Sequence, residues 1–360
     1  LKKQYLYTKT IRFWLLTGLI MLIGQVILGG ITRLTGSGLS ITSWDIITGV
    51  IPPMNKQQWA EVFELYKQTP QFHKINSDFT LKQFKFIYFW EFFHRLWVRT
   101  LGVIFLIPFI IFVIRKQIDF FLIKRLALVV FLTALTASAG WIMVMSGLVE
   151  RPWVNAYKLT LHFMLAILTI GAMVKCIADV YLMENKPKKG HTKFVLILLV
   201  LTTIQLIIAG LMAGMRAGLY YSSWPSMNGA FIPAVLLDSS NWTLHNLTNY
   251  DRFAFAPALV QFIHRMLAYI ILILTVYFYH KKRNHVHTGA IKWLTVSYLL
   301  VVFQVFLGIM TLLKIKTGIP LVYGTLHQLV GVLYLISLLF LYYSLRNKIS
   351  IWSKKKLPQG

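Results

Sequence analysis

The chain has 360 residues, of which 57% are hydrophobic and only 13% charged, with a mean hydropathy of +0.64. That balance excludes an ordinary soluble globular protein. The formal net charge of +26 invites a nucleic-acid reading, but Lys and Arg gather at 2–12, 115–125, 186–193, 281–292 and 346–356, where membrane topology and contact with anionic lipid account for them.

Taken in chain order, apolar runs of about 20 residues, the length that crosses a bilayer, recur at 13–31, 86–114, 126–149, 159–182, 194–215, 257–279, 293–313 and 320–345. The basic clusters occupy both ends and every second loop, so eight spans are predicted with both termini on the cytoplasmic side. No cleavable signal or transit segment is evident before the first span, and Leu1 is not a usual start, which leaves upstream residues open. Two long outer loops follow spans one and five, at about 32–85 and 216–256. In the first, Trp59, Val62, Phe63 and Tyr66 recur at helical spacing among Lys56, Glu61, Glu64 and Lys67. This predicts an amphipathic helix over 55–68, either lying on the outer surface or packed as a loop helix. Gly36, Gly38, Pro52 and Pro53 punctuate the same loop. The single cysteine, Cys176, falls in span four beside Lys175, so no disulfide or cysteine-based metal site forms within one chain.

The second half repeats the first. Residues 25–53 align with 205–233 without a gap: Gln25 with Gln205, Gly30 with Gly210, Gly38-Leu39 with Gly218-Leu219, Ser43-Trp44 with Ser223-Trp224, Gly49 with Gly229 and Pro53 with Pro233. His94-Arg95 then matches His264-Arg265, and Leu161-His162 matches Leu326-His327. The expected architecture is all-α and polytopic, with eight transmembrane helices forming two tandem four-helix bundles over 1–185 and 186–360. An even number of spans per repeat gives both the same orientation, related by a pseudo-two-fold axis along the membrane normal.

Histidine inside a membrane is costly and usually functional. His94, His162, His264 and His327 each lie three to eight residues from the outer end of their predicted span, within roughly 10 Å of the outer surface. Each repeat thus brings two imidazoles on two helices to one level, in a bundle core of the kind that holds cofactors. Zinc normally takes three or four protein ligands, and no cysteine cluster or HExxH pattern is present. Paired imidazoles fit the axial ligands of a haem iron, and Arg95 and Arg265, each next to a ligand candidate, are placed to pair with propionates. The repeats differ at one position of the matched phrases EFFHR and QFIHR: Glu91 becomes Gln261. Glu91 precedes His94 by three residues and shares its helix face. A buried carboxylate there is either paired with Arg95 or Arg99 or free to exchange protons. The contrast predicts chemistry at the first site and a stable redox or structural haem at the second.

The stretches GGITRLTGSGLSITSW at 29–44, IPP at 51–53, EFFHRLWVRTLG at 91–102, GWIMVMSGL at 140–148, YKLTLH at 157–162, AGMRAG at 213–218, WPSMNG at 224–229, QFIHRMLAY at 261–269 and LHQLVG at 326–331 closely resemble haem A synthase over nearly the whole chain. The resemblance implies a membrane oxidoreductase that oxidises a methyl group of haem O to a formyl group, by way of an alcohol, making haem A for cytochrome oxidase. It implies that His94 and His162 hold the substrate haem, that His264 and His327 hold a haem b cofactor, and that Glu91 is the catalytic residue. It also implies haem O synthase and a ferredoxin-type electron donor as partners, besides membrane lipids, with homo-oligomerisation open, and residence in the cell inner membrane. The outer loops lack the cysteine pairs of some members, matching the cysteine-free proteobacterial and mitochondrial type.

Two other classes compete on the histidines alone. A di-haem electron-transfer cytochrome would spread its haems through the bilayer, whereas these four histidines share the outer half. A cofactor-free duplicated transporter would place its polar residues near the midplane.

Overall fold

The computed structural model describes residues 7–43, 49–148, 151–181, 191–286 and 288–346. Trp44 of the repeat and the expected boundary at 185/186 lie outside the described residues. The described chain is helical, with no sheet: α1 (Lys9–Leu34), α2 (Lys56–Lys67), α3 (Pro70–Ile75), α4 (Leu81–Ile114), α5 (Phe120–Leu148), α6 (Ala156–Tyr181), α7 (Thr192–Gly214), α8 (Ala234–Leu237), α9 (Leu244–Thr248), α10 (Phe255–Lys282), α11 (Thr288–Lys314) and α12 (Leu321–Arg346). Among the described residues, eight helices are long and apolar enough to cross a membrane: α1, α4 to α7, and α10 to α12. They correspond one to one with the predicted runs, and most begin several residues before them. α4 begins five residues earlier than its apolar run because Thr80 and Gln83 form a reciprocal capping box at its start.

Four inner helices, α1, α6, α7 and α12, pack against one another, with α4 and α5 flanking on one side and α10 and α11 on the other. Glycines set how closely they approach. A Cβ on Gly214 of α7 would lie 2.6 Å from Ala156 Cα of α6, and one on Gly30 of α1 would lie 2.4 Å from the Gln328 amide of α12. Such small-residue crossings drive helix association where lipid tails remove the hydrophobic contrast between helices. Gly214→Leu is therefore expected to force α6 and α7 apart, costing about 1–3 kcal/mol. A lowered thermal midpoint in detergent checks this, and an unchanged midpoint would refute the crossing.

Aromatic packing ties α1 to α4, with Trp14 stacked on Phe105 at 4.7 Å and edge-on to Phe112 at 5.2 Å. At the ends of these helices remote from the histidines, Asp179 of α6 pairs with Arg125 of α5 and Lys175, and Tyr7 donates to Asp119.

The outer loop helix α2 forms where its amphipathic pattern predicts it, and the packed alternative is the one realised. Phe63 and Tyr66 stack on Phe84 of α4 at 4.9 and 5.0 Å, and Trp59 meets Tyr88 edge-on. Tyr66 accepts from Asn76 Nδ2 at 2.7 Å and donates to Gln71, which in turn donates to the Gly36 carbonyl at 2.9 Å. Burial pushes the Tyr66 hydroxyl up to about 12, so it stays a donor. This network fastens the first outer loop over α4 and α5.

Candidate functional site

The four histidines lie on α4, α6, α10 and α12, the helices the sequence assigns them to. His162 and His327 each sit six residues after the first residue of their helix. In both, the ring Nδ1 donates to a main-chain carbonyl of the preceding helix: His162 to Thr136 of α5 at 2.9 Å, His327 to Gln304 of α11 at 3.1 Å. A carbonyl can only accept, so Nδ1 carries the proton and Nε2 keeps its electron pair for a metal. One turn along α5 and α11, Gly140 and Gly308 let the rings lie flat against the helix. A Cβ there would meet His162 Cε1 or His327 Cε1 at 2.9 Å.

The opposing histidines face α1 and α7. The Gln25 amide lies 3.2 Å from His94 Nε2 and donates to the His94 carbonyl at 3.3 Å, while Gln205 donates to the His264 carbonyl at 2.9 Å. Gln25 and Gln205 are matched positions of the repeat, so each pair has a glutamine beside it; in the second half Gln304, where the first has Thr136, also brings its amide 3.4 Å from His327 Nε2.

These residues suit a bis-imidazole iron. The ring centroids of His264 and His327 are 6.2 Å apart at an interplanar angle of 66°. Two nitrogen–metal bonds of about 2 Å, plus about 1 Å from each nitrogen to its ring centre, account for that separation. Around the two pairs, Gln25 Oε1, Gln205 Oε1, Gln304 Oε1 and His264 Nδ1 are buried without a hydrogen-bond partner, and a bound group is one of the explanations for such buried polar atoms. Among the described residues, His, Cys, Asp and Glu do not gather in groups of three or more that could hold a metal.

Glu91 is buried and takes the ion-pair alternative. Its Oε1 accepts from Arg95 at 2.6 Å. Its Oε2 accepts from the Ser40 amide at 2.7 Å, the Ser40 hydroxyl at 2.8 Å and the Ile41 amide at 2.8 Å. Arg95 also donates to the carbonyls of Ile41 and Ser43 at 3.1 and 2.9 Å. Together the two side chains clamp residues 40–43 onto α4.

The second half repeats the clamp with one polarity reversed. Arg265 donates to the carbonyls of Tyr221 and Ser223, the matched positions, and to those of Pro225 and Ser226. Gln261, however, donates its amide to the Tyr221 carbonyl at 2.7 Å, where Glu91 accepts an amide. The leucines of the two loops also differ: Leu39 is 2% exposed and its counterpart Leu219 58% exposed. A cavity of about 350 Å³ opens between α2, α4 and the first loop, with Tyr88, Phe92, Arg95 and Arg99 in its wall.

Sequence reasoning singled out the histidines, Glu91 and both arginines and did not point to their neighbours Ser40, Thr136, Gly140, Gln304 and Gly308. One signal was available: Thr136 and Gly140 are four apart, as are Gln304 and Gly308, at corresponding places in the repeat.

Residues 12–339 match the family described as cytochrome oxidase assembly protein. The chain is 36% identical over 329 residues to the haem A synthase of Flavobacterium psychrophilum, covering 89% of this chain and 93% of the relative. It is 36% identical to that of Nitrosospira multiformis, covering 96% of each. With that of Pelagibacter ubique it shares 33% identity, covering 95% and 98%.

Proposed function

From the premise that the chain belongs to the cytochrome oxidase assembly family of haem A synthases, membrane enzymes that oxidise haem O, we propose a division of work between its histidine pairs. His94 and His162, in the unit 1–185, hold the substrate haem O. His264 and His327, in the unit 186–360, hold a haem b that stays. A pseudo-two-fold axis along the membrane normal relates the two units. The observation that carries this reading is the repeated ligand setting: in each half one imidazole is fixed by a main-chain carbonyl against a glycine, and its partner faces a glutamine.

When bound by His264 and His327, haem b would supply one-electron chemistry at its iron. The protein's own part is to fix both ring tautomers, keep the pairs within the bundle and place one anion beside the first pair only. Four donors hold Glu91 in one position, which suits a fixed negative charge that steadies positive charge developing at the substrate methyl. Arg95 and Arg265 hold the outer loops through their carbonyls and would supply the positive charge that propionates need. A ferredoxin-type protein delivers electrons, haem O synthase supplies the substrate, and the enzyme lies in the cell inner membrane with both termini cytoplasmic. The electron-transfer cytochrome is set aside, because relatives that match 89%, 96% and 95% of this chain are haem A synthases.

Pigment extraction with mass analysis tests the function. In a host that makes haem O but lacks its own synthase, expression of this chain is expected to yield haem A. A host that accumulates only haem O, while the purified protein shows two haems, would restore the cytochrome reading. The ligand setting is tested separately by Gly308→Val, whose side chain would enter the space of the His327 ring. The expected result is a weakened or high-spin signal from the resident haem; an unchanged low-spin spectrum would contradict it.

A further inference from the structure

The two halves differ in how their outer-flank helices meet. α10 and α11 pack together, whereas α4 and α5, although consecutive in the chain, barely touch. The first outer loop accounts for part of this. Leu39 sits where a Cβ on Gly147 of α5 would lie, 2.8 Å from its Cδ2, while the next residue, Ser40, is tied to Glu91 of α4. The loop is thus wedged between the two helices, and α3 packs on α5 beside it. In the second half the wedge is withdrawn, with Leu219 exposed.

Below the wedge the gap continues as an apolar track. Gly102, Phe109 and Val113 fall on one face of α4 at i, i+7 and i+11. A Cβ on Gly102 would meet nothing within 4 Å. The matched residue of the second half is Leu272, packed against the core. Further down lies a groove of about 330 Å³, lined only by Phe109, Ile110, Val113 and Ile114 of α4 and Ile123 and Ala127 of α5. Ile110 and Ile114 are exposed, so the groove faces the bilayer. Fifteen residues of helix separate His94 from Phe109, about 22 Å along the axis.

We propose that the α4–α5 gap is the binding site for the isoprenoid tail of haem O and the side door by which the substrate reaches His94 and His162 from the membrane. This rests on the assignment of that pair to the substrate. The occupant follows from the chemistry and the position. The groove has no polar side chain to hold a headgroup or an ion, so it selects a purely hydrocarbon chain. It continues downward from the level of the first histidine pair on the same helix. The half proposed to keep its haem lacks both the glycine and the separation of its flanking helices.

Two variants narrow the track without touching a ligand: Gly102→Leu, which installs the second-half residue, and Ala127→Phe in the groove wall. Each is purified with its resident haem and titrated in nanodiscs with haem O and, separately, with tail-less haem b. Both variants are expected to weaken haem O binding by about tenfold or more while haem b binding at the first pair stays within about twofold. Unchanged haem O binding, as for a groove that takes phospholipid chains only, overturns the tail site. Equal weakening of both haems also overturns it. Failure of the unaltered protein to bind either haem through His94 and His162 instead overturns the assignment of the first pair, a distinct result.

Discussion

His264→Ala and His327→Ala are each expected to strip the purified protein of its resident haem, while His94→Ala and His162→Ala are expected to keep that haem and abolish haem A formation. The size of the effect follows from the ligand setting. Changing a residue that merely orients a metal ligand costs about 10–100-fold in affinity, and removing the ligand itself costs more. His327 is held between Gly308 and the Gln304 carbonyl, and the side chain beside its Nε2, the Gln304 amide at 3.4 Å, offers no imidazole in its place. His264 faces it at a centroid distance of 6.2 Å, and a single imidazole left alone cannot complete the pair. The absorption spectrum and haem content of the four variants provide the measurement. The reverse pattern, haem lost with His94 and retained without His264, would exchange the roles of the halves; loss of haem in all four would make the pairs equivalent.

The architecture was readable because it rests on local properties. Twenty-residue apolar runs and basic clusters act through the bilayer, so composition alone places the spans, and histidine within such runs is conspicuous. The reasons behind the site were less accessible. Thr136 and Gln304 act through main-chain carbonyls, which every residue possesses, so their dissimilar side chains conceal an identical role. Ser40 and Ile41 likewise reach Glu91 through backbone amides across about fifty residues of sequence. The face of α2 reads the same whether it is to meet lipid or α4, and only the aromatic partners Phe84 and Tyr88 decide it. The separation of α4 from α5 depends on where Leu39 is inserted. Its counterpart Leu219 lies in a closely similar sequence, yet its loop peptide meets an amide donor where Leu39's loop meets a carboxylate.

That reversal bears on Glu91→Gln, which is expected to halt haem A formation by at least about a hundredfold, the scale seen when one preorganised electrostatic partner is removed, while both histidine pairs still bind haem. Glutamine looks conservative, since Gln261 occupies the same place in the second half. The hydrogen bonds show why it is not. Gln261 donates to a carbonyl, whereas all four partners of Glu91 are themselves donors. An amide at 91 must turn its NH2 either toward the Ser40 and Ile41 amides or toward the Arg95 guanidinium, and either choice sets donor against donor. Arg95 also loses its counter-charge in a site where its side chain is 12% exposed, a loss that costs about 3–5 kcal/mol for a buried pair. Loop release and charge loss therefore coincide in this variant. Ser40→Ala separates them, because it removes the hydroxyl but leaves both backbone amides, the Arg95 pairing and the carboxylate, and one hydrogen bond to a charged group is worth about 1.5–3 kcal/mol. That variant is expected to retain most of the activity, with faster amide exchange confined to residues 36–43. Mass analysis of the accumulated haem gives the deciding observation: haem O, or its alcohol, building up with Glu91→Gln and haem A continuing with Ser40→Ala. If Ser40→Ala stalls the reaction as fully as Glu91→Gln, the loop rather than the charge governs the first site; if Glu91→Gln makes haem A at the normal rate, neither does.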